Sequence, residues 1–327
     1  MFDLEFLSHY PFLSDAKKYV QSLEIEIDQN ILELGKKRLR DGLTSNLKPI
    51  LELNEESFKN NILAYAASRL ILSNWKNIYI RQRMAIAESK LARYYLQQEE
   101  NLENIKNVAN EFQIAFKEEK NRIKTDIISY LKYAPKDIHY KLIYMPLKNG
   151  EIYLSKDQFI RVLEEAIRTK LEVIPQHSWT ANLEQIKQII EELNNFIPKQ
   201  KLDQIKINTT DFPPCIKKLI AQLSSSINVS HYGRVALVIY LIKAGYSNEQ
   251  IQKIFSFAPD YNPDITSYQI EFIRKKGYNM PSCTTMESSG LCIAECKCSN
   301  PTLFRRKIHG NNAKKSVLPE DEEYAKY

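Results

Sequence analysis

The residues best suited to chemistry are five cysteines, Cys215, Cys283, Cys292, Cys296 and Cys298, all beyond residue 214 of this 327-residue chain. Thiols drawn from segments so far apart meet either around a metal centre or in disulfides. Disulfides belong to oxidising compartments. The amino terminus, MFDLEFLSHYPF, is acidic and has neither the basic start nor the apolar run of a signal peptide. The expected chemistry is therefore thiolate–metal bonding in a reducing, cytoplasmic setting. Structural zinc sites usually come as closely spaced pairs, whereas Cys215 stands alone in sequence. Iron–sulfur clusters take four cysteines and do not require such pairs. Spacing by itself leaves zinc and iron–sulfur open.

A second constellation is His231-Tyr232-Gly233-Arg234. His231 and Arg234 are three apart and share one face near the amino end of a helix. A guanidinium grips phosphate through two N–H groups, and an imidazole adds a third contact. Gly233 permits close approach of backbone or ligand. Taken by itself, this string fits a structural salt bridge at least as well. Tyr268 could stack on a nucleic-acid base, and the basic run Arg274, Lys275, Lys276 either meets a nucleic-acid backbone or is solvated surface. His9, His139, His177 and His309 are scattered. LEIEID at 23–28 alternates carboxylates with apolar residues, as a metal-binding strand would, but without a second acidic pair it reads as a solvated face. No GxxxxGK[ST] phosphate loop and no GxSxG occurs in the sequence, so no catalytic engine is expected within the chain.

The elements that must position these groups are mostly helices. Residues 1–48 read as short helices around an apolar plug, Tyr10 to Leu13. From Pro49 to Pro135 the chain lacks glycine and is rich in helix formers. Asn54 supplies a cap there. One apolar face runs through Met84, Ala87, Leu91, Tyr94 and Tyr95, and another through Ile105, Val108, Ala109, Phe112, Ala115 and Phe116. Near 141–155 the period changes, and Asn149-Gly150 predicts a tight β-hairpin. Ser155 with Gln158 predicts a capping box, followed by a helix burying Phe159, Val162, Leu163, Ala166 and Ile167. Leu183 to Leu193 forms one more stripe. The polar, proline-bracketed text around 201–212 reads as a linker. Beyond it, helices are expected over 231–244 and 247–255, joined around Gly245 with Ser247 and Gln250 as a second capping box. This spacing resembles helix-turn-helix, though most such pairs are packing units. The tail, 311–327, reads as disordered.

Length favours two domains. The longest apolar run, Val235 to Ile242, is too short to cross a membrane, so no membrane association is expected. Net charge is +6, and residues 211–310 carry 12 basic against 7 acidic side chains, so the cysteine-bearing part holds most of the excess. That balance suits a phosphate-bearing partner.

The order PPC (213–215), H-x-G-R (231–234), PSC (281–283), GLC (290–292) and a last cysteine before a proline resembles the carboxy-terminal domain of the archaeal and eukaryotic DNA primase large subunit. YPFLSDAKKYV at 10–20 and YMPLKNGEIYLSKDQFIRVLEEAI at 144–167 resemble the archaeal form of its amino-terminal half. The resemblance implies a mainly α protein in two parts. A helical domain with a small β-hairpin insertion, 1–200, would bind the catalytic small subunit. After the linker, an all-helical domain, 213–310, would surround a [4Fe–4S] cluster held by Cys215, Cys283, Cys292 and Cys298, with Cys296 as the alternative fourth ligand. It further implies that His231 and Arg234 contact the triphosphate of the initiating nucleotide and that Tyr268 lies toward the template. Here Gln269 follows that tyrosine where the eukaryotic relatives have asparagine. The chain would then be a non-catalytic regulatory subunit of a heterodimeric primase in the nucleoid-associated replication machinery. Its partners would be the small subunit, single-stranded template, the initiating nucleotide and RNA primer, with room for a third small subunit. The competing interpretations from other classes are a zinc-stabilised nucleic-acid-binding adaptor without a primase partner and a repair nuclease or helicase that has lost its motor.

Overall fold

Short polar side chains open most helices of the amino-terminal half. Asp3 caps α1 (Leu4–His9), Asp28 caps α3 (Gln29–Leu43), Asn54 caps α4 (Glu55–Asn74) and Asn77 caps α5 (Ile78–Gln98). Each accepts a backbone N–H of the first turn that has no partner within the helix. Helix α2 (Ser14–Ser22) follows the buried plug Tyr10, Phe12 and Leu13. The computed structural model describes residues 3–75, 77–119, 122–135, 137–174, 183–197, 211–225, 227–296 and 298–304. No strand forms at 23–28: Glu24 adopts φ 47°, the carboxylates of Glu24, Glu26 and Asp28 are exposed, and Asp28 serves as the cap of α3.

Helices α3 and α4 cross closely because Gly35 has no side chain. A Cβ there would stand 2.7 Å from the Ala67 Cβ and 2.9 Å from the Ala67 backbone. Helix α5 is enclosed on several sides and packs against α3 and α8 (Lys156–Glu172). Under it lies a buried ion pair, with Arg38 Nε 2.6 Å from Glu88 Oε1 and Nη2 2.7 Å from Oε2. Arg69 on α4 donates to the carbonyls of Leu171 and Val173 at 2.7 and 2.6 Å, satisfying acceptors at the carboxy end of α8.

The stripe through Ile105, Val108, Ala109 and Phe112 is buried as expected, yet its helix, α6 (Leu102–Glu111), stops before Ala115 and Phe116. Gln113 turns to φ 57° and Ile114 N–H returns to the Ala109 carbonyl at 3.1 Å, a helix-terminating geometry. The chain then extends as β1 (Lys117–Glu119) and β2 (Arg122–Asp126). The expected hairpin, β3 (Leu147–Lys148) and β4 (Glu151–Leu154), forms around Asn149 at φ 53° and Gly150 at φ 77°. It is half of a four-stranded antiparallel sheet of order β1-β2-β4-β3. The pairs Ile123–Leu154 and Thr125–Ile152 face the core. Helix α7 (Ile127–Tyr133) leaves β2 directly under an Asp126 cap. The Ser155–Gln158 capping box opens α8, whose Phe159, Val162, Leu163, Ala166 and Ile167 are all fully buried. Helix α9 (Leu183–Leu193) buries Ile186, Ile189 and Leu193 against α3 and α4.

The carboxy-terminal part comprises α10 (Pro214–Ser224), α11 (His231–Lys243), α12 (Asn248–Phe255), α13 (Pro263–Lys276) and α14 (Cys283–Ser288). The second capping box, Ser247 with Gln250, forms, and Gly245 at φ 88° makes the turn before it. Its apolar cluster runs from Phe212 to Leu291 and shares no residue with the two clusters of the first 200 residues. Phe212, placed at the end of the linker from sequence, is fully buried edge-on to Tyr240 and Tyr246. Residues 201–210 of that linker and the tail 311–327 lie outside the described residues.

Candidate metal centre and phosphate-binding face

Pro214 occupies the first position of α10, where its missing N–H has no cost, and sets Cys215 in the first turn, buried. Cys283 begins α14 under a Ser282 cap, and its backbone N–H donates to the Ser299 carbonyl at 2.9 Å. That bond ties the PSC segment to the segment carrying Cys298, and the Cys283 and Cys298 sulfurs lie 3.5 Å apart. Gly290, at φ 70°, turns the chain after α14, and Leu291 and Cys292 N–H both return to the Met286 carbonyl.

The electrostatics show that the thiols influence one another. Burial pushes the Cys215 thiol up to about 11, with Cys292 and Cys296 adding to the shift. Burial pushes Cys283 up to about 12, reinforced by the bond and charge of Cys298 and by Cys215 and Cys292. Cys296 is raised by burial, then by Cys298 and Cys292. So the distant PPC cysteine and the four of the 283–298 segment feel one another. Among the described residues, no group of three or more His, Cys, Asp or Glu side chains meets the spacing for holding a metal ion. The donor set is nonetheless soft and all sulfur, the kind that selects iron–sulfur or zinc. Desolvated thiols crowded together resist ionisation, and a bound metal reverses that by deprotonating them. The residues present fit a thiolate-ligated group.

Ser230 caps α11 by accepting from Gly233 N–H at 3.2 Å, which places His231 at the first helical position, exposed. Gly233 is a packing glycine: a Cβ there would meet Val229 Cγ1 at 2.9 Å and Leu219 Cδ2 at 3.1 Å. Arg234 is already engaged. Its Nε donates to the Val229 carbonyl at 2.8 Å, and Nη2 reaches Asn228 Oδ1 at 2.5 Å and Asp260 Oδ1 at 2.8 Å. The structural salt bridge that the string alone would also fit is therefore present, with Asp260 as the partner. His231 and Arg234 border a cleft of about 410 Å³ whose opposite wall is α8.

On α13, Tyr268 is 63% exposed. It stacks on Phe272 with centroids 6.2 Å apart, Phe272 contacts Tyr278 at 6.4 Å, and Lys276 Nζ lies 5.7 Å over the Phe272 ring. Arg274 is held by Asn248 Oδ1 at 2.7 Å and the Tyr246 carbonyl at 2.8 Å, while Lys275 and Lys276 are exposed. The scattered histidines His177 and His309 lie outside the described residues; His9 stacks on Tyr95 at 3.9 Å within the first part.

Comparison with known proteins resolves the family. Residues 205–320 match the family model for the C-terminal domain of the eukaryotic and archaeal DNA primase large subunit, and residues 12–174 match the model for its N-terminal domain. DNA primase large subunit PriL of Methanococcoides burtonii is 30% identical over 89% of this chain and 88% of its own length. The chain belongs to the eukaryotic and archaeal DNA primase large-subunit family. PriL of Thermoplasma volcanium is also 30% identical, over 74% of this chain and 77% of its own, and that of Methanocella arvoryzae 27%, over 93% and 89%.

Within this primase family member, the C-terminal match encloses all five cysteines, His231, Arg234 and Tyr268, and the N-terminal match encloses the sheet and α8. Sequence reading missed three contributors. Phe272 was within reach of it, since it follows Tyr268 by four residues on one helix face. Asp260, which holds Arg234, and Arg83, whose Nη1 on α5 donates to the carbonyls of Pro259 and Tyr261 at 3.3 and 3.1 Å, have no local signal. Both contacts join residues distant in the chain.

Proposed function

We propose that this chain is the non-catalytic large subunit of a heterodimeric DNA primase, holding the catalytic small subunit with its first domain and positioning template and initiating nucleotide with its second. The observation that carries this is that both halves of the chain match the family, and the Cys215 thiol and the thiols of the 283–298 segment influence one another in the matched C-terminal domain.

Cys215, Cys283, Cys292 and Cys298 would hold a [4Fe–4S] cluster. Cys298 is preferred to Cys296 because its sulfur contacts Cys283 and its segment is bonded to the Cys283 backbone. A cluster bound there supplies cross-linking of four chain segments. Arg234 and His231 would hold the 5′ triphosphate of the first nucleotide, and Ser230 fixes the helix start from which both project. Tyr268 with Phe272, flanked by Lys275 and Lys276, offers a stacking face with positive charge for single-stranded template, and Arg274 anchors the end of that helix. Ile128 and Leu131 on α7 are 77% and 58% exposed, and Ile143, Tyr144 and Leu147, in and just before the hairpin, are 83%, 61% and 48% exposed. Ile127 N–H, donating to the Gly150 carbonyl, ties α7 to the hairpin turn, and the Tyr130 hydroxyl, donating to the Tyr140 carbonyl at 2.6 Å, ties it to the segment before the hairpin. Such an apolar surface suits a stable partner, and the small subunit is the partner assigned.

The test is Arg234→Ala in the reconstituted heterodimer. Loss of a charge-assisted contact worth about 1.5–3 kcal/mol should slow initiation by roughly ten- to a hundredfold at subsaturating nucleotide. Extension of a preformed primer lacking a 5′ triphosphate should stay near the unaltered rate. Equal loss in both reactions would remove the nucleotide-holding role.

A further inference from the structure

Arg234 is engaged within its own domain through Nε and Nη2, and its acidic partner sits on a segment that also touches the first domain. The segment Pro259-Asp260-Tyr261 links α12 to α13. Asp260 takes Arg234 Nη2 at 2.8 Å, while the carbonyls on either side of it, Pro259 and Tyr261, accept from Arg83 of the first domain. Arg83 is 7% exposed and is itself fixed within its own domain, Nε donating to the Leu43 carbonyl and Nη2 to Ser45 Oγ at 3.1 Å. One three-residue strap thus carries both a contact between the domains and the counter-charge of Arg234.

The closed cleft is poorly suited to a triphosphate. On the α8 wall, Arg161 is paired with Glu164 and Glu165, and Arg168 with Glu165 and Glu172. Asp137 adds another carboxylate to the lining. With Asp260 on Arg234, every guanidinium lining the cleft among the described residues is neutralised, so an anion entering would meet fixed negative charge as much as positive.

The strap is also a narrow bridge. Cavities of about 410 and 520 Å³ flank it, and among the described residues extensive helix-to-helix packing falls within one domain or the other. Domains joined this way are expected to separate.

We propose that the 259–261 strap is an autoinhibitory contact: docked on Arg83, it holds Asp260 against Arg234 and keeps the triphosphate site shut, and undocking lets phosphate replace Asp260. This rests on the assignment of Arg234 to triphosphate binding and adds its regulation.

The experiment titrates ATP and inorganic tripolyphosphate into the full-length chain and its variants Asp260→Asn, Arg83→Met and Arg234→Ala, with X-ray scattering on each. Asp260→Asn keeps the shape of the strap and removes a charge that competes with phosphate. Binding should tighten by about five- to tenfold. Arg83→Met should tighten binding similarly and enlarge the radius of gyration. Unchanged or weaker binding by Asp260→Asn, with Arg234→Ala losing it, overturns the strap and leaves the phosphate site standing. Tightening by Asp260→Asn but not by an expanded Arg83→Met overturns the coupling to domain docking. Wild-type binding by Arg234→Ala removes the phosphate site, and the strap with it.

Discussion

Glu88→Gln tests what holds α5, the helix that carries Arg83 toward the second domain. The side chains of Arg38 and Glu88 are 5% and 7% exposed and meet through two parallel bonds of 2.6 and 2.7 Å. Burial disfavours the Arg38 charge, but Glu88 outweighs it and holds the guanidinium more firmly protonated than usual. Arg38 Nη1 also donates to Asn61 Oδ1 at 2.6 Å, and Asn61 Nδ2 donates to the Ser8 carbonyl at 2.7 Å, so the network ties α3, α4, α5 and the end of α1 together. Removing one partner of a buried pair costs about 3–5 kcal/mol because the remaining charge is uncompensated. The amide retains one acceptor, which places the expected loss near about 3 kcal/mol. At about 2–4 °C per kcal/mol for a unit of this size, melting of the helical domain should fall by about 6–12 °C. Urea and thermal denaturation of the full-length chain, followed by circular dichroism, measure the two quantities. The double change Arg38→Met with Glu88→Leu should recover most of the loss, since apolar replacements of similar volume are often neutral. A loss below about 1 kcal/mol, the range of a solvated pair, would refute the reasoning.

Cys283→Ser should yield a chain with reduced iron content and brown colour when purified without oxygen, and a lower melting temperature for the carboxy-terminal part; full iron and unchanged melting would remove Cys283 from the ligand set, and colourless protein with zinc would favour the adaptor interpretation. Residues 1–200 should retain the catalytic small subunit in a pull-down while residues 211–310 should not, and capture by the second fragment alone would reverse the assignment of domains. Burial works against ionisation of Glu111, but Lys170 and the hydroxyl and N–H of Ser14 outweigh it and hold its carboxyl below the usual value. Its contribution is therefore complete above the ordinary carboxylate range and disappears as pH falls through the lowered value. Glu111→Gln should flatten that acid limb of the stability profile, and an unchanged limb would show that the contact is too solvated to matter.

The parts of the fold legible in the sequence are those set by neighbours a few residues apart. Ser155 with Gln158, Ser247 with Gln250, and Asn149-Gly150 specify their caps and turn through short-range bonds, and all three form. The strands β1 and β2 were illegible for the opposite reason. Lys117 to Asp126 contains good helix formers, and what makes Ile123 and Thr125 a strand is pairing with Leu154 and Ile152, far along the chain. Sequence reasoning points to a shared thiolate site, but which cysteines hold it and what they hold come only from resemblance, because the approach of Cys215 depends on how α10 packs. Phe212 shows the same limit: polar surroundings suggested a linker, whereas its ring finds Tyr240 and Tyr246 in the folded core.

Arg234 brings these levels together. The local string fits either a phosphate grip or a salt bridge, and the structure contains the salt bridge. The two do not exclude each other, since Asp260 and a triphosphate would compete for the same guanidinium face. What decides the occupant is the difference in free energy between them, and a partly solvated pair such as Arg234–Asp260, each side chain 23% exposed, contributes about 0–1 kcal/mol. A multiply charged phosphate can displace one carboxylate held that weakly, provided the α8 wall is not adding its own carboxylates to the field. On the mechanism proposed above, separation of the domains would be the step that converts a structural arginine into a binding one. Salt offers an independent check on this: raising ionic strength screens exposed charges, so it should weaken tripolyphosphate binding by Asp260→Asn more steeply than by the wild type, where part of the phosphate attraction is offset by release of Asp260.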